Sequence, residues 1–336
     1  MGGAIGRSIS RDETVTGQAE RGMIGSGRTR KVDDMSVIPG PAWLFCPADR
    51  PERYGKAAAT ADVVVLDLDD SVASADKDYA RRSLLDRSLD PARTVVRIGP
   101  SGTDEHRLDL RALADSPYTR VMLARCESPE QVTALAPLEV IALVESPRGV
   151  LAVADIALAM GTIGVMWGAE NLAVGLGGQS LRRADGTYRD VATHVRASVL
   201  LAAKAYGRWA LDAAYLDIGD HAGLRSEAVD AVAVGFDVKV AIHPDQVSVI
   251  REAYTPSTES VEWLAGSSRP CPSRGACSGS RGRWWTRQYY DMPNRSFTER
   301  WKRAPTVTDR VARRSSRNGG DGDGSSTVGP RRGGLR

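Results

Sequence analysis

Cysteine and histidine are scarce in this chain of 336 residues, with four of each. So few cysteines cannot frame a fold of this length with disulfides, and Cys46, Cys126, Cys271 and Cys277 are not spaced as zinc ligands. Cys46 and Cys126 sit in apolar, strand-like runs, and a reducing, cytoplasmic setting is the expectation. Residues 1–41 hold no apolar run long enough for a signal peptide or a membrane span, so no membrane partner is expected. No G-x-G-x-x-G or P-loop follows any strand-like run, which removes the usual dinucleotide and nucleotide cradles. What is not lacking is apolar surface: at 42% hydrophobic residues the chain is neither disordered throughout, nor a disulfide-framed miniprotein, nor collagen-like.

Net charge is also low, at +3, but only as an average of unlike parts. Residues 42–265 carry 23 Lys and Arg against 32 Asp and Glu, whereas residues 266–336 carry 16 against 5. The seam lies near Ala265. Residues 1–41, rich in Gly, Ser and charge, read as a disordered leader, with Met35 a candidate start just before the ordered-looking chain. The tail from 266 holds 11 Gly, 15 Arg and three of the seven Trp, yet only three Val, one Leu and no Ile. Such a segment cannot offset its ordering entropy with aliphatic burial. A basic, aromatic arm for single-stranded nucleic acid is one reading; a solvated tail is preferred, and a nucleic-acid partner is not expected.

Between these ends the pattern is regular. Short β-branched or apolar runs at 43–48, 62–69, 94–99, 120–125, 139–145, 164–169, 213–219 and 238–243 alternate with segments of helical period, among them 76–89, 105–115, 147–160, 190–211 and 222–234. Pro129 and Pro147 fall where the first turn of a helix accepts them. Eight β-α units in so short a span predict an α/β fold, a (β/α)8 TIM barrel.

Barrel enzymes carry their chemistry at the C-terminal ends of the strands, and polar residues gather there. Arg50 and Arg53 follow strand one, Asp69 and Asp70 end strand two, and Arg97 lies late in strand three. Arg125 and Glu127 end strand four, Glu145 ends strand five, Glu170 and Asn171 follow strand six, Asp217 and Asp220 end or follow strand seven, and His243 ends strand eight. Singly, each has a plain explanation: Asp220 as a helix N-cap, His243 as a buried imidazole bonded to backbone. Together, several carboxylates without a Cys/His cluster suggest an oxygen-ligated hard cation, Mg2+ rather than Zn2+. A buried Arg97 requires an anionic partner, either a carboxylate or a bound substrate.

The segments WLFCPADRPERYGKAA, VVLDLDDSV, VVRIGPSGT, ALVESPRGV, MWGAENLAVGLGG, YLDIGDHAGL and GFDVKVAIHPDQV resemble, in order, the HpcH/HpaI aldolase and citrate lyase β-subunit family, in particular its CitE-like acyl-CoA lyases of actinobacteria. The resemblance covers about 42–265. It implies a Mg2+-dependent barrel enzyme, oligomeric as a trimer or hexamer, that cleaves or forms a carbon–carbon bond between an acyl-CoA enolate and a keto compound. Carried over by position, Glu145 matches the metal-binding Glu, Arg97 the strand arginine that contacts substrate oxygens, and Arg50 and Arg53 the entry arginines near the CoA phosphates. Asp69 and Asp70 occupy the family's Glu-Asp pair and would support metal-bound water or carry protons.

Four departures fall on this rim. The family's metal-binding Asp, in GAEDL, is Asn171 here, an amide that can ligate Mg2+ but brings no charge. The Glu before Asp70 is shortened to Asp69, a polar residue two places after Arg97 is Gly99, and a Pro-Lys pair ending strand four is Ala124-Arg125. The resemblance therefore implies either a lyase of reduced activity on a short β-hydroxyacyl-CoA or an impaired acyl-CoA-binding relative that assembles with an active paralogue. The family also continues past the barrel with a segment carrying an Asp that reaches a neighbouring subunit. Back-translated with GC-rich codons and read one frame over, residues 275–294 yield GVFRFEG and then VVDAAVLRHAE, with that Asp across the codons of Trp285 and Thr286. The tail thus reads as a frameshift product.

Overall fold

The computed structural model describes residues 38–256, and also the antiparallel backbone pairing of Cys277–Ser278 with Trp284–Trp285. Met35, the rest of the leader to residue 37, Ala265 and the remainder of the tail lie outside the described residues.

Within 38–256 eight parallel strands close into a barrel in sequence order. They are β1 (Ala42–Pro47), β2 (Val63–Asp67), β3 (Thr94–Ile98), β4 (Arg120–Leu123), β5 (Glu139–Val144), β6 (Thr162–Trp167), β7 (Trp209–Asp212) and β8 (Val238–Ala241). Between and after them run α1 (Tyr54–Thr60), α2 (Lys77–Asp86), α3 (Asp104–Ala114), α4 (Pro129–Thr133), α5 (Pro147–Leu151), α6 (Val153–Leu158), α7 (Ala169–Gly175), α8 (Asp190–Ala205), α9 (His221–Val234) and α10 (Pro244–Tyr254). Pro129 and Pro147 open α4 and α5 as expected, since a first-turn residue has no intrahelical use for its N–H. Thr103 caps α3 by accepting from His106 N at 3.1 Å, and Gly235, at φ 108°, ends α9 in the left-handed conformation.

Strand period two divides the core. Inside the barrel pack Trp43, Val63, Val65, Val95, Met122, Ile141, Leu143, Met166, Trp209, Leu211, Val238 and Val240, with Trp43 edge-on to Trp209 at 5.9 Å. The alternate residues, such as Val64, Leu66, Val96, Ala142 and Val165, face the helices and build the larger outer core. Two residues beyond Val65, Val95 and Leu143 come Asp67, Arg97 and Glu145. The same alternation that buries the aliphatics therefore turns these three into the barrel's mouth.

The sequence pattern misplaced one strand. The run 213–219 is a loop, with Leu216 and Ile218 exposed, and β7 is Trp209–Asp212, paired through Ala210 with Val165. The helix expected over 190–211 stops at Ala205, where Gly207, at φ 65°, reverses the chain. Asp217 and Asp220 consequently lie well past the strand end. The helix expected at 147–160 is two, broken at Ala152, and strand six begins two residues earlier than expected.

The true end of β7, Asp212, points outward. Its fully buried carboxylate accepts from Trp167 Nε1 at 2.7 Å, Lys239 Nζ at 3.0 Å and Arg196 Nε at 3.0 Å. Burial opposes its ionisation, but Lys239 and Arg196 hold it below the usual carboxylate range. This network ties β6, β7, β8 and α8 together, and leaves the mouth to other residues.

Candidate active site

Asp67 and Arg97 are neighbours across the parallel β2–β3 ladder. Arg97 is 8% exposed and donates from Nε to Asp67 Oδ1 at 2.6 Å and from Nη2 to Oδ2 at 2.7 Å. Asp67 also accepts from the backbone N–H of Asp69 at 2.8 Å and of Ser71 at 3.1 Å. One carboxylate thus orients the arginine and folds the loop that carries Asp69 and Asp70. The third nitrogen of Arg97, Nη1, reaches Asp70 Oδ2 at 3.2 Å, and the guanidinium lies 5.0 Å from the Phe45 ring centroid.

Arg125 closes the mouth from β4. Its φ of 49° is the positive value that a non-glycine residue seldom adopts. In this conformation its backbone N–H donates to Glu145 Oε1 at 3.0 Å, while Nη2 bridges Asp69 Oδ2 at 3.0 Å and Asp70 Oδ1 at 2.7 Å. Asn171, near the start of α7, donates from Nδ2 to Glu145 Oε2 at 2.9 Å and to Asp70 Oδ2 at 3.0 Å. Glu145 needs room on that side: a Cβ on Gly168 would stand 2.7 Å from Oε2, so glycine is required there.

Below the loop after β3, fully buried Asp109 accepts from Arg81 Nε at 2.8 Å and from Gly99 N at 2.9 Å. It fixes Gly99, whose absent side chain would meet Asp69 Oδ1 at an ordinary 3.8 Å. The electrostatics separate the adjacent acids. Burial, then the charge of Asp70, pushes Asp69 up to about 6 against the pull of Arg97 and Arg125. Asp70 is also disfavoured by burial, but Arg97, Asn171 and Arg125 outweigh this and hold it low. Glu145 is raised by burial, opposed by Asn171 and Arg97.

The structure therefore brings together Asp69, Asp70, Arg97, Glu145 and Asn171 as one cluster. It does not bring Arg50 and Arg53 into it. They stand in the turn after β1, more than half exposed, nearest Asp49 at 3.5 Å and Glu52 at 3.9 Å. Asp220 is the helix cap its plain reading expected, accepting from Gly223 N at 2.8 Å. His243 also caps a helix, accepting from Asp245 N at 3.3 Å, but its side chain is 42% exposed rather than buried. The sequence pattern does not single out Asp67 or Asp109, and it puts Arg125 on the rim without a role. The signals are present: Asp67 ends the apolar run of strand two on the inward face, two residues after Val65, and Arg125 directly follows an apolar run.

Among the described residues no group of three or more His, Cys, Asp and Glu is arranged to hold a metal. The donor set at the mouth is nevertheless all oxygen, one buried carboxylate in Glu145 and, on rotation of its amide, Asn171 Oδ1. Mg2+ keeps several waters and takes few protein ligands, so these residues fit it with one negative charge fewer than two carboxylates would bring.

Fold and site together define a (β/α)8-barrel protein with an acidic, oxygen-donor site at its C-terminal mouth, organised around an inward arginine. The chain belongs to the HpcH/HpaI aldolase/citrate lyase family, whose profile matches residues 42–244. It is 62% identical over 224 residues to a citrate lyase subunit beta-like protein of Mycobacterium tuberculosis, covering 67% of this chain and 82% of that one. It is 30% identical over 251 residues to the mitochondrial citramalyl-CoA lyase of Homo sapiens, covering 67% and 74%. A crystal structure of protein CitE from M. tuberculosis in complex with magnesium, acetoacetate and coenzyme A matches with TM-score 0.71 at 57% identity, covering 75% of this chain and 94% of that one. Among the described residues no helix is long and apolar enough to cross a membrane.

Proposed function

We propose that this chain is a Mg2+-dependent carbon–carbon lyase that cleaves, or in reverse forms, a short β-hydroxyacyl-CoA. The observation that carries this reading is Arg97, locked by Asp67 with its remaining edge turned to the carboxylates at the mouth. In the cleavage direction the β-hydroxyl proton leaves to a carboxylate and the hydroxyl carbon becomes a ketone. The Cα–Cβ electron pair moves onto the thioester carbonyl as an enolate, which regains a proton to release the shorter acyl-CoA. Asp69, raised toward neutrality, suits the proton acceptor, and Asp70, held ionised, orients it through their shared partner Arg125. Arg97 supplies a fixed positive charge to the keto-acid oxygens. Glu145 and Asn171 are the residues that would hold Mg2+, whose Lewis acidity would polarise the keto oxygen. Exposed Arg50 and Arg53 suit the phosphates of CoA, a ligand with which a relative has been solved. The test is incubation with Mg2+ and citramalyl-CoA or a homologous series of β-hydroxyacyl-CoAs, with acyl-CoA and keto-acid products read by mass spectrometry. No product from any member, with Asn171→Asp equally inactive, rejects the enzyme.

The second reading, an impaired acyl-CoA-binding relative that assembles with an active paralogue, is favoured by one contact. Asn171 turns its N–H2, not its oxygen, to Glu145 and Asp70. Binding of CoA without turnover would support it. Either reading accommodates a homo-oligomer, a trimer or hexamer: Leu151, Leu158, Met160, Val174 and Leu201, on or beside α5–α8, are each more than half exposed. Light scattering tests this. We also infer that the chain beyond Ala265 comes from a shifted frame, which peptide masses of the endogenous protein test.

A further inference from the structure

Four carboxylates, Asp67, Asp69, Asp70 and Glu145, stand at the mouth against two guanidiniums. Arg97 gives two hydrogen bonds to Asp67 and its third nitrogen to Asp70. Arg125 is the more exposed half of the balance, with its side chain 39% exposed and its Nη2 between Asp69 and Asp70. Its own peptide N–H occupies Glu145 Oε1, and Asn171 Nδ2 occupies Glu145 Oε2 and Asp70 Oδ2. Every oxygen of Glu145 and Asp70 is therefore taken by an N–H of this chain. The positive φ at Arg125 is what brings both its peptide N–H and its side chain onto these acids at once.

We propose that Arg125 is a tethered cation that competes with the divalent metal for the Asp70–Glu145 end of the site, and so sets the site's affinity for metal. This rests on the reading that Glu145 and Asn171 hold that metal. A guanidinium bridging Asp69 and Asp70 cancels part of the field that attracts a cation, and Asn171 supplies no charge to replace it. Removing the Arg125 charge restores the negative charge that Asn171 withholds, without touching a ligand.

The experiment is calorimetric titration of the full-length protein with MgCl2, for wild type, Arg125→Asn, Arg125→Gly and Arg125→Lys, each with and without Glu145→Gln. Asn and Gly both accept the left-handed backbone, so two independent neutral variants are available. The neutral variants bind Mg2+ about tenfold more tightly than wild type, Arg125→Lys stays within about twofold of it, and Glu145→Gln abolishes the gain. Folded neutral variants that bind no more tightly, or an Arg125→Lys protein that tightens as much as they do, overturn the proposal. Binding that still depends on Glu145 in that case leaves the metal site standing. Magnesium binding indifferent to Glu145→Gln in every background, or none in any protein, overturns the metal site and the proposal together.

Discussion

Arg97 and Asp67 meet inside the barrel mouth in two parallel hydrogen bonds of 2.6 and 2.7 Å, and Asp67 is only 1% exposed. Removing one partner of such a pair leaves the other charged, buried and unmatched. Asp67→Asn is expected to cost about 3–5 kcal/mol in denaturant unfolding, and Arg97→Lys, which cannot reproduce the fork, to lower kcat/KM by about a hundredfold or more. Near-wild-type kinetics for Arg97→Lys would remove Arg97 from the chemistry.

Asn171→Asp places a third acid against Glu145 and Asp70. Without Mg2+ the variant is expected to be less stable by about 1 kcal/mol through like-charge repulsion. Millimolar Mg2+ should reverse this and raise Tm above that of the wild type under the same conditions. Thermal melts with and without Mg2+ check both signs, and turnover should rise in parallel.

Asp69 faces Asp67, Asp70, Arg97 and Arg125, and Lys77 Nζ lies 3.3 Å from its backbone oxygen. Its folded value, about 6, lies above the ordinary carboxylate value near 3.9. The stability it contributes is therefore complete below about pH 4 and is lost as pH rises through about 6. Activity moves the opposite way, because the ionised form accepts the proton, so kcat/KM should rise through pH 6. In Asp69→Asn the low-pH limb should vanish and the fall in stability between pH 4 and 6 should flatten.

Lys239 is fully buried, with Nζ 3.0 Å from Asp212 and 2.5 Å from Glu227. Lys239→Ala leaves Asp212 with Arg196 as its remaining counter-charge, and should cost about 3–5 kcal/mol while leaving Mg2+ affinity unchanged. Chemical denaturation and calorimetry on one preparation separate the two effects. A stable Lys239→Ala protein would show that Arg196 and Trp167 suffice to hold Asp212.

Gly99 has space for a side chain beside Asp69. Gly99→Asn should fold with a Tm within a few degrees of wild type and, by donating to Asp69, lower the pH of the activity limb. An unchanged limb would mean that the amide points elsewhere.

Local chemistry determined much of this protein without any fold in hand. Alternating apolar runs such as 94–98 are strands because period two buries one face inside the barrel and the other under helices. Proline at 129 and 147 starts helices because the first turn has no use for its missing N–H. Those signals, repeated, specify the barrel, and through it the end at which Asp69, Asp70, Arg97, Glu145 and Asn171 collect. They failed where one apolar run resembled another: 213–219 alternates as a strand does, but Gly207 turns the chain early enough for Trp209–Asp212 to take the place beside β6. They also could not name partners. Nothing in the sequence says that Asp67 rather than Asp69 holds Arg97, that Asp212 turns away from the mouth, or that Arg125 adopts a left-handed backbone. Those are decided by which strands become neighbours and which face each residue presents, because a buried charge takes the counter-charge that the closed sheet sets beside it.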